Sequence, residues 1–104
     1  MINVKVTKKH DSISSLIVSG HANSGEYGKD LVCAAVSAVV IGGLNSITSH
    51  QHYSIEVREG FVSIKAIQLQ NETDKIVLNT ILVSLHTIEQ NYRKYIKISE
   101  ERID

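Results

Sequence analysis

The single cysteine of the 104-residue sequence, Cys33, lies three positions after Asp30, at the start of a long apolar run. Aspartate is a favoured helix-capping residue, so we predict that a helix begins after Asp30 and that Cys33 lies in its first turn. Unpaired amide N–H groups and the helix dipole at that end favour the thiolate, the nucleophilic form of cysteine. A nearby Asp30 carboxylate opposes this charge. Cys33 is therefore a candidate nucleophile, but free cysteines are commonly core residues, and position alone leaves both roles open.

His21 is the candidate partner of Cys33, because it follows a predicted strand and precedes the loop that leads to the helix. That loop, residues 22–29, contains Gly25 and Gly28, and we expect it to be flexible. It can bring the strand end and the helix start together. Imidazole can take a proton from a thiol and return one to a leaving amine near neutral pH. The spacing is therefore compatible with a thiol catalytic pair, and equally with an ordinary surface histidine.

A zinc site is the competing use of cysteine and histidine, and the spacing does not favour it. The sequence has one cysteine, no CxxC motif, and a single close histidine pair in His50-Gln51-His52. Phosphate-binding, dinucleotide-binding and serine-hydrolase motifs are also missing from it. We predict no metal and no cofactor. The histidines outside the proposed pair are expected at surface or turn positions: His10, His50, His52 and His86.

Composition restricts the remaining functional classes. Eleven basic residues balance eleven acidic ones, so no net charge attracts nucleic acid or an acidic membrane surface. Hydrophobic residues make up 42% of the chain, which suits one domain with one core. A lone cysteine indicates a reducing compartment, the N-terminus lacks a signal-peptide pattern, and the apolar run at 31–47 is interrupted and too short to span a membrane. We expect a cytoplasmic protein without direct membrane or nucleic-acid contact.

Alternating apolar residues predict five strands. They fall at 2–6, at 15–19 ending near Gly20, at 53–57, at 62–66, and at 95–98 before a charged tail at 100–102. His10-Asp11-Ser12 supplies turn residues between the first two strands, and Arg58-Glu59-Gly60 does so between the next two.

Two helices complete the predicted order ββαββαβ. The first runs from Leu31 to about Gln51, with apolar residues at nearly every angle, and is expected to be buried almost all round. Gly42-Gly43 inside it predicts a close contact with another backbone. The second spans about 72–93, is amphipathic, and begins at a capping arrangement of Asn71 and Asp74. This order favours an α+β domain whose mixed or mostly antiparallel sheet packs against both helices.

Two motifs resemble a known family. Gly20-His21-Ala22 is followed, after the glycine-bearing loop, by the run GKDLVCAAVS from Gly28 to Ser37. This arrangement resembles the pattern of the ribosomal-processing cysteine protease (Prp) family: a GHA triplet, then G-x-D, two apolar residues and CAA-x-S. Every fixed position of that pattern is occupied here. The diagnostic part covers residues 20–37, while length and element order are similar over essentially the whole chain.

The resemblance implies that residues 1–104 form a single cysteine-protease domain in which Cys33 attacks the scissile carbonyl and His21 handles the protons. Asp30 and Ser37 match family positions as well. We expect Asp30 to cap the helix and Ser37 to pack or hydrogen-bond locally, and we assign neither a catalytic role. Backbone N–H groups at the helix start are expected to stabilise the oxyanion.

The resemblance also implies an endopeptidase that removes the short N-terminal extension of a large-subunit bacterial ribosomal protein of the L27 type. That extension ends in an apolar and aromatic stretch, so recognition should rest on apolar pockets and strand-like backbone pairing. A homodimer is implied too, and Val77 and Val83 are expected to be exposed and to contribute to it. The alternative function is a non-enzymatic, ribosome-associated binding module in which Cys33 and His21 are only structural.

Overall fold

The computed structural model describes residues 1–22 and 30–103, and its elements follow the predicted order ββαββαβ. The helices and strands are β1 (Ile2–Lys9), β2 (Ser12–Ser19), α1 (Leu31–Ser46), a short 3-10 helix (His50–His52), β3 (Tyr53–Arg58), β4 (Phe61–Ala66), α2 (Glu72–Asn91) and β5 (Ile96–Arg102). The predicted α+β class with two helices and a mostly antiparallel sheet is confirmed. The loop predicted to be flexible lies outside the described residues, except for Ala22.

One five-stranded sheet, in the order β3-β4-β2-β1-β5, organises the domain. The first three neighbouring pairs are antiparallel, and β5 lies parallel to β1. Alternate residues of β1, namely Ile2, Val4 and Val6, are buried in the same hydrophobic cluster as side chains from both helices. The core therefore lies between one face of the sheet and the two helices. Neither described helix is long and apolar enough to cross a membrane.

The turn between β1 and β2 is tighter than the sequence suggests. His10 and Asp11 have positive φ angles of 51° and 64°, and Lys9 pairs with Ser12 across them. Positive φ at both central residues defines a type I′ turn, whose twist matches that of a hairpin. As a result, β2 begins at Ser12 and not at the predicted Ser15.

The prediction that α1 is buried almost all round is wrong. Its buried residues form one stripe at intervals of four: Val32, Val36, Val40 and Leu44. The opposite side faces solvent, and Leu31 is 72% exposed. A run of apolar residues around a helix does not itself show which face is covered, because only neighbouring elements determine that.

The predicted extension of α1 to Gln51 is also wrong, because the helix ends at Ser46. The amide groups that would continue it are bound elsewhere: Thr48 N and Ser49 N donate to the carboxylate of Asp74 over 2.8 and 3.2 Å. Asp74 lies in the first turn of α2, where its own N–H donates to Asn71 Oδ1 over 2.8 Å. The predicted Asn71 cap is thus confirmed, and the Asp74 side chain terminates the other helix.

The close approach expected at Gly42-Gly43 is made by one of the two glycines. A Cβ on Gly43 would collide with the side chain of Ile81 on α2, whereas a Cβ on Gly42 would meet nothing within 4 Å. The partner is a side chain and not a backbone, which corrects the prediction. Gly43 therefore allows the two helices to pack closely, and nothing in the described structure requires a glycine at Gly42.

The charged residues at 100–102, predicted to be a tail, belong to β5. Ile96–Arg102 pairs with β1 over its whole length. Glu100 contacts Lys8 of β1 at 3.1 Å and His86 of α2 at 2.7 Å, while Arg102 reaches Asp11 at 2.8 Å. Charges along an edge strand also discourage pairing with another sheet.

Candidate active site

Cys33 lies in the first turn of α1, as predicted. Asp30 is the N-cap residue, and its Oδ1 accepts a hydrogen bond from the backbone N–H of Cys33 over 3.0 Å. Its carbonyl oxygen accepts from Ala34 N over 3.1 Å. The cap therefore holds the Cys33 backbone in place. It also occupies two amide groups at the helix start, so these two donors are not available to an oxyanion while the cap is intact.

The sulfur of Cys33 has a partner from the end of the second strand. Ala22 N donates a hydrogen bond to Sγ over 3.2 Å, and Ala22 itself is 4% exposed. Because Ala22 directly follows His21, this contact brings the backbone of the histidine close to the first turn of α1.

His21 and Cys33 line the same cleft, which has a volume of about 500 Å³. His21 is exposed at the end of β2. The residue before it, Gly20, donates its N–H to the carbonyl of Gly60 over 2.9 Å. This bond joins the end of β2 to the turn between β3 and β4, so that both segments border the cleft.

The walls of the cleft are mainly apolar. Its apolar lining side chains come from α1 and from four strands: Ile2, Val18, Val36, Val40, Ile41, Val57, Phe61 and Val62. Two charged residues at the β3–β4 turn, Arg58 and Glu59, also line the cleft. The Arg58 guanidinium lies 4.2 Å from the centre of the Phe61 ring and is paired with Glu56 at 2.6 Å. The cleft can therefore accept an apolar chain segment beside the side chains of Cys33 and His21.

Of two further residues named from the sequence, Ser37 lies at the cleft and His86 lies outside it. Ser37 is exposed and lines the cleft one turn beyond Cys33. His86 contacts Glu89 and Glu100 on the surface, away from the cleft.

The other three histidines also lie away from the cleft. His10 is an exposed turn residue, as expected. His50 is exposed, and its Nε2 is 2.9 Å from Leu44 O. His52 is half-buried, with its Nδ1 atom enclosed. Within residues 1–22 and 30–103, no cluster of three or more histidine, cysteine or acidic side chains could hold a metal ion.

Tyr53, Asp74 and Glu100 have shifted pKa values, and none of the three lines the cleft. Their contacts hold the fold together. Burial, together with the charge of Asp74, raises the pKa of Tyr53 to about 12. Burial alone would raise the pKa of Asp74, but hydrogen bonds from Thr48 and Ser49 and the nearby His50 bring it below its ordinary value. Hydrogen bonds from His86 and Lys8 lower the pKa of Glu100, against the effect of burial.

The sequence did not predict the contribution of the β3–β4 turn to the cleft. Glu59 and Gly60 are recognisable as turn residues, and Gly60 adopts a positive φ of 70°. Their distance from His21 depends on β4 pairing with β2, a contact between residues more than forty positions apart. Sequence periodicity shows which residues form strands, but not which strands become neighbours.

Comparison with known proteins identifies relatives over nearly the whole chain. A family model described as cysteine protease Prp matches residues 1–97. The ribosomal processing cysteine protease Prp of Staphylococcus aureus (strain Mu50) is 35% identical over an alignment of 104 positions, and the alignment covers 95% of this chain and 98% of that protein. The protein of the same name from Bacillus subtilis (strain 168) is 30% identical, with 95% and 96% covered.

A solved structure supports the same relationship. The crystal structure of the Staphylococcus aureus ribosomal processing protease Prp, in complex with a covalently linked product peptide, matches with a TM-score of 0.89. The two sequences are 36% identical, and the match covers 97% of this chain and 100% of the other. The likeness therefore extends over sequence and fold together.

Proposed function

Since the chain belongs to the Prp family of ribosomal processing cysteine proteases, we propose that Cys33 is its nucleophile and His21 its general acid–base. The observation that carries this proposal is that both side chains line one cleft while Ala22 N donates to the Cys33 sulfur. The domain that supports this chemistry spans residues 1–104. The non-enzymatic binding module is the weaker reading, because the matching family model and the relatives are all described as proteases.

The reaction follows from the chemistry of the two side chains. His21 removes the thiol proton, and the sulfur attacks the scissile carbonyl carbon to form a tetrahedral intermediate. Collapse of that intermediate breaks the C–N bond, and the imidazolium returns its proton to the leaving amine. Water activated by His21 then cleaves the thioester and releases the acid product. The covalently linked product peptide of the Staphylococcus aureus relative supports a pathway through a covalent intermediate.

The substrate is the N-terminal extension of a large-subunit ribosomal protein of the L27 type. The apolar walls of the cleft support this, since Val36, Val40 and Phe61 offer surfaces for apolar or aromatic side chains. The net charge of the chain is zero. Substrate recognition by burial of apolar side chains therefore fits better than recognition by long-range electrostatic attraction. Processing of a ribosomal protein supports a cytoplasmic location for the enzyme.

The test is a comparison of peptides. A peptide with the aromatic-ended extension should be cut once, at the aromatic-to-small junction. Replacing the aromatic residue beside the cut by alanine removes about 3 kcal/mol of burial, so the initial rate should fall about 100-fold. A peptide with a distant charge reversed should be cut nearly as fast as the parent. Equal rates for the parent and alanine peptides, or scattered cuts, would contradict this substrate.

The enzyme is also proposed to be a homodimer. Val83 of α2 is 56% exposed and Ile76 is 66% exposed, which leaves apolar surface on this helix. Val77, predicted to be exposed, is instead half-buried against the core, so its expected contribution is corrected. Light scattering on the purified protein should give twice the monomer mass of 11.5 kDa, and Val83→Asp should reduce it to the monomer value.

A further inference from the structure

The turn between β3 and β4 meets the imidazole of His21 at a residue without a side chain. Glu59 and Gly60 form this two-residue turn, and Arg58 and Phe61 pair on either side of it. Gly60 has a φ of +70°, a conformation that glycine adopts without the steric cost borne by other residues. The requirement for glycine here is therefore partly conformational.

A second requirement concerns space. A Cβ on Gly60 would lie 2.8 Å from Nε2, 3.2 Å from Cε1 and 3.5 Å from Cδ2 of His21. The two shorter distances are below ordinary van der Waals contact, so the imidazole would have to move. These atoms form the end of a rotatable side chain, whereas the turn is part of the sheet. The ring would therefore give way before the backbone.

The two backbones at this contact are held together. Gly20 N donates to Gly60 O over 2.9 Å, which joins the turn to the residue before His21. Gly20, with a φ of +96°, also packs against the carbonyl group of Met1. With both backbones restrained, the position of the His21 ring depends on the space above Gly60.

We propose that Gly60 is a positioning residue for the protease reaction, because its missing side chain leaves the space in which the His21 imidazole lies. The inference rests on the proposed role of His21 as the general acid–base. His21 is exposed, so within residues 1–22 and 30–103 few other walls restrict the rotamer of its ring. Proton transfer requires hydrogen-bond reach, and misplacement by about 1 Å can cost about 100-fold in rate.

The experiment uses four variants of the full-length chain: Gly60→Ala, Gly60→Asn, His21→Ala and the double variant His21→Ala/Gly60→Ala. Asparagine tolerates positive φ better than alanine but also carries a Cβ, so Gly60→Asn separates crowding from backbone strain. Gly42→Ala is the matched control, because a Cβ there meets nothing within 4 Å. Urea unfolding shows which variants are folded, and peptide cleavage gives kcat/KM.

We expect both Gly60 variants to lose about 10- to 100-fold in kcat/KM while Gly42→Ala stays within about threefold of wild type. In the His21→Ala background, Gly60→Ala should cause no further loss, because it acts through the imidazole. The pH dependence of Cys33 alkylation should change in both Gly60 variants toward that of His21→Ala, and this measurement needs no substrate.

Three results would overturn the inference: a folded Gly60→Asn with nearly full activity, an equal loss in both backgrounds, or an unchanged alkylation profile. In the first of these cases, a loss of activity confined to Gly60→Ala would assign the effect to backbone strain. A fully active His21→Ala variant is a different outcome, since it would remove the proposed dyad itself.

Discussion

The backbone N–H of Ala22 donates a hydrogen bond to Sγ of Cys33 over 3.2 Å, across eleven positions of the chain. The contact places the residue after His21 directly against the proposed nucleophile. The GHA motif and the start of α1 are thus joined by a direct hydrogen bond.

Cys33→Ser should abolish peptide cleavage while the protein remains folded. The serine hydroxyl can accept the same hydrogen bond from Ala22, but it is a far poorer nucleophile without a strong activating base. Initial rates with the extension peptide and urea unfolding curves measure the two effects. Iodoacetamide treatment of wild type should eliminate activity to the same extent, and a Cys33→Ser protein that still cleaves would contradict the assignment.

His21→Ala should lower kcat/KM by roughly 10²- to 10⁴-fold, the usual contribution of a positioned acid–base group. His86→Ala is the matched control, since His86 contacts Glu89 and Glu100 away from the cleft, and it should stay within about threefold of wild type. A loss below about threefold in His21→Ala would show that another group serves as the base.

Asp30→Ala should lower the stability of the protein by about 1 kcal/mol, because it removes the N-cap of α1. Asparagine caps helices about as well as aspartate, so Asp30→Asn can accept from Cys33 N as Asp30 Oδ1 does at 3.0 Å and should stay close to wild type. Urea unfolding of the two variants measures the difference. An equal loss of stability in both would show that the cap hydrogen bond is not what stabilises the start of α1.

Asp74→Asn should destabilise the fold at neutral pH by about 2–3 kcal/mol, because hydrogen bonds to a charged group are lost. Asp74 is fully buried and accepts from Thr48 N, Thr48 Oγ1 and Ser49 N. Urea unfolding measures the loss. Glu72→Gln is the control, since this exposed residue pairs with Lys75 within the same helix, and it should cost less than about 0.5 kcal/mol.

The stability that Asp74 contributes should disappear in acid. Its pKa in the folded protein is below the ordinary 3.8, so the folded state binds fewer protons than the unfolded state in this range. The contribution is therefore complete above the unfolded value and falls as the pH drops through the folded value. Wild type should lose more stability than Asp74→Asn between pH 5 and strong acid, and parallel pH profiles for the two proteins would exclude this origin.

Local features of the sequence determined where the site begins. Asp30 predicts the start of α1 because a capping side chain acts on amide groups within the next three residues, and Cys33 follows from counting along one turn. The period-two alternation predicts the strands for the same reason, since each side chain's direction depends on its own backbone. These local signals predict Cys33 at a helix start and His21 after a strand, and the family resemblance implies that the two form a pair.

Contacts between distant segments decided the rest. Asp74 ends α1 from 26 positions away, and pairing with β1 makes a strand of the charged residues at 100–102. Gly60 lies against His21 only because β4 pairs with β2. Local propensity carries no information about such contacts, because they depend on which elements share the single core. That is why the proposed pair of His21 and Cys33 could be predicted from the sequence, while the proximity of Gly60 to His21 required the tertiary structure.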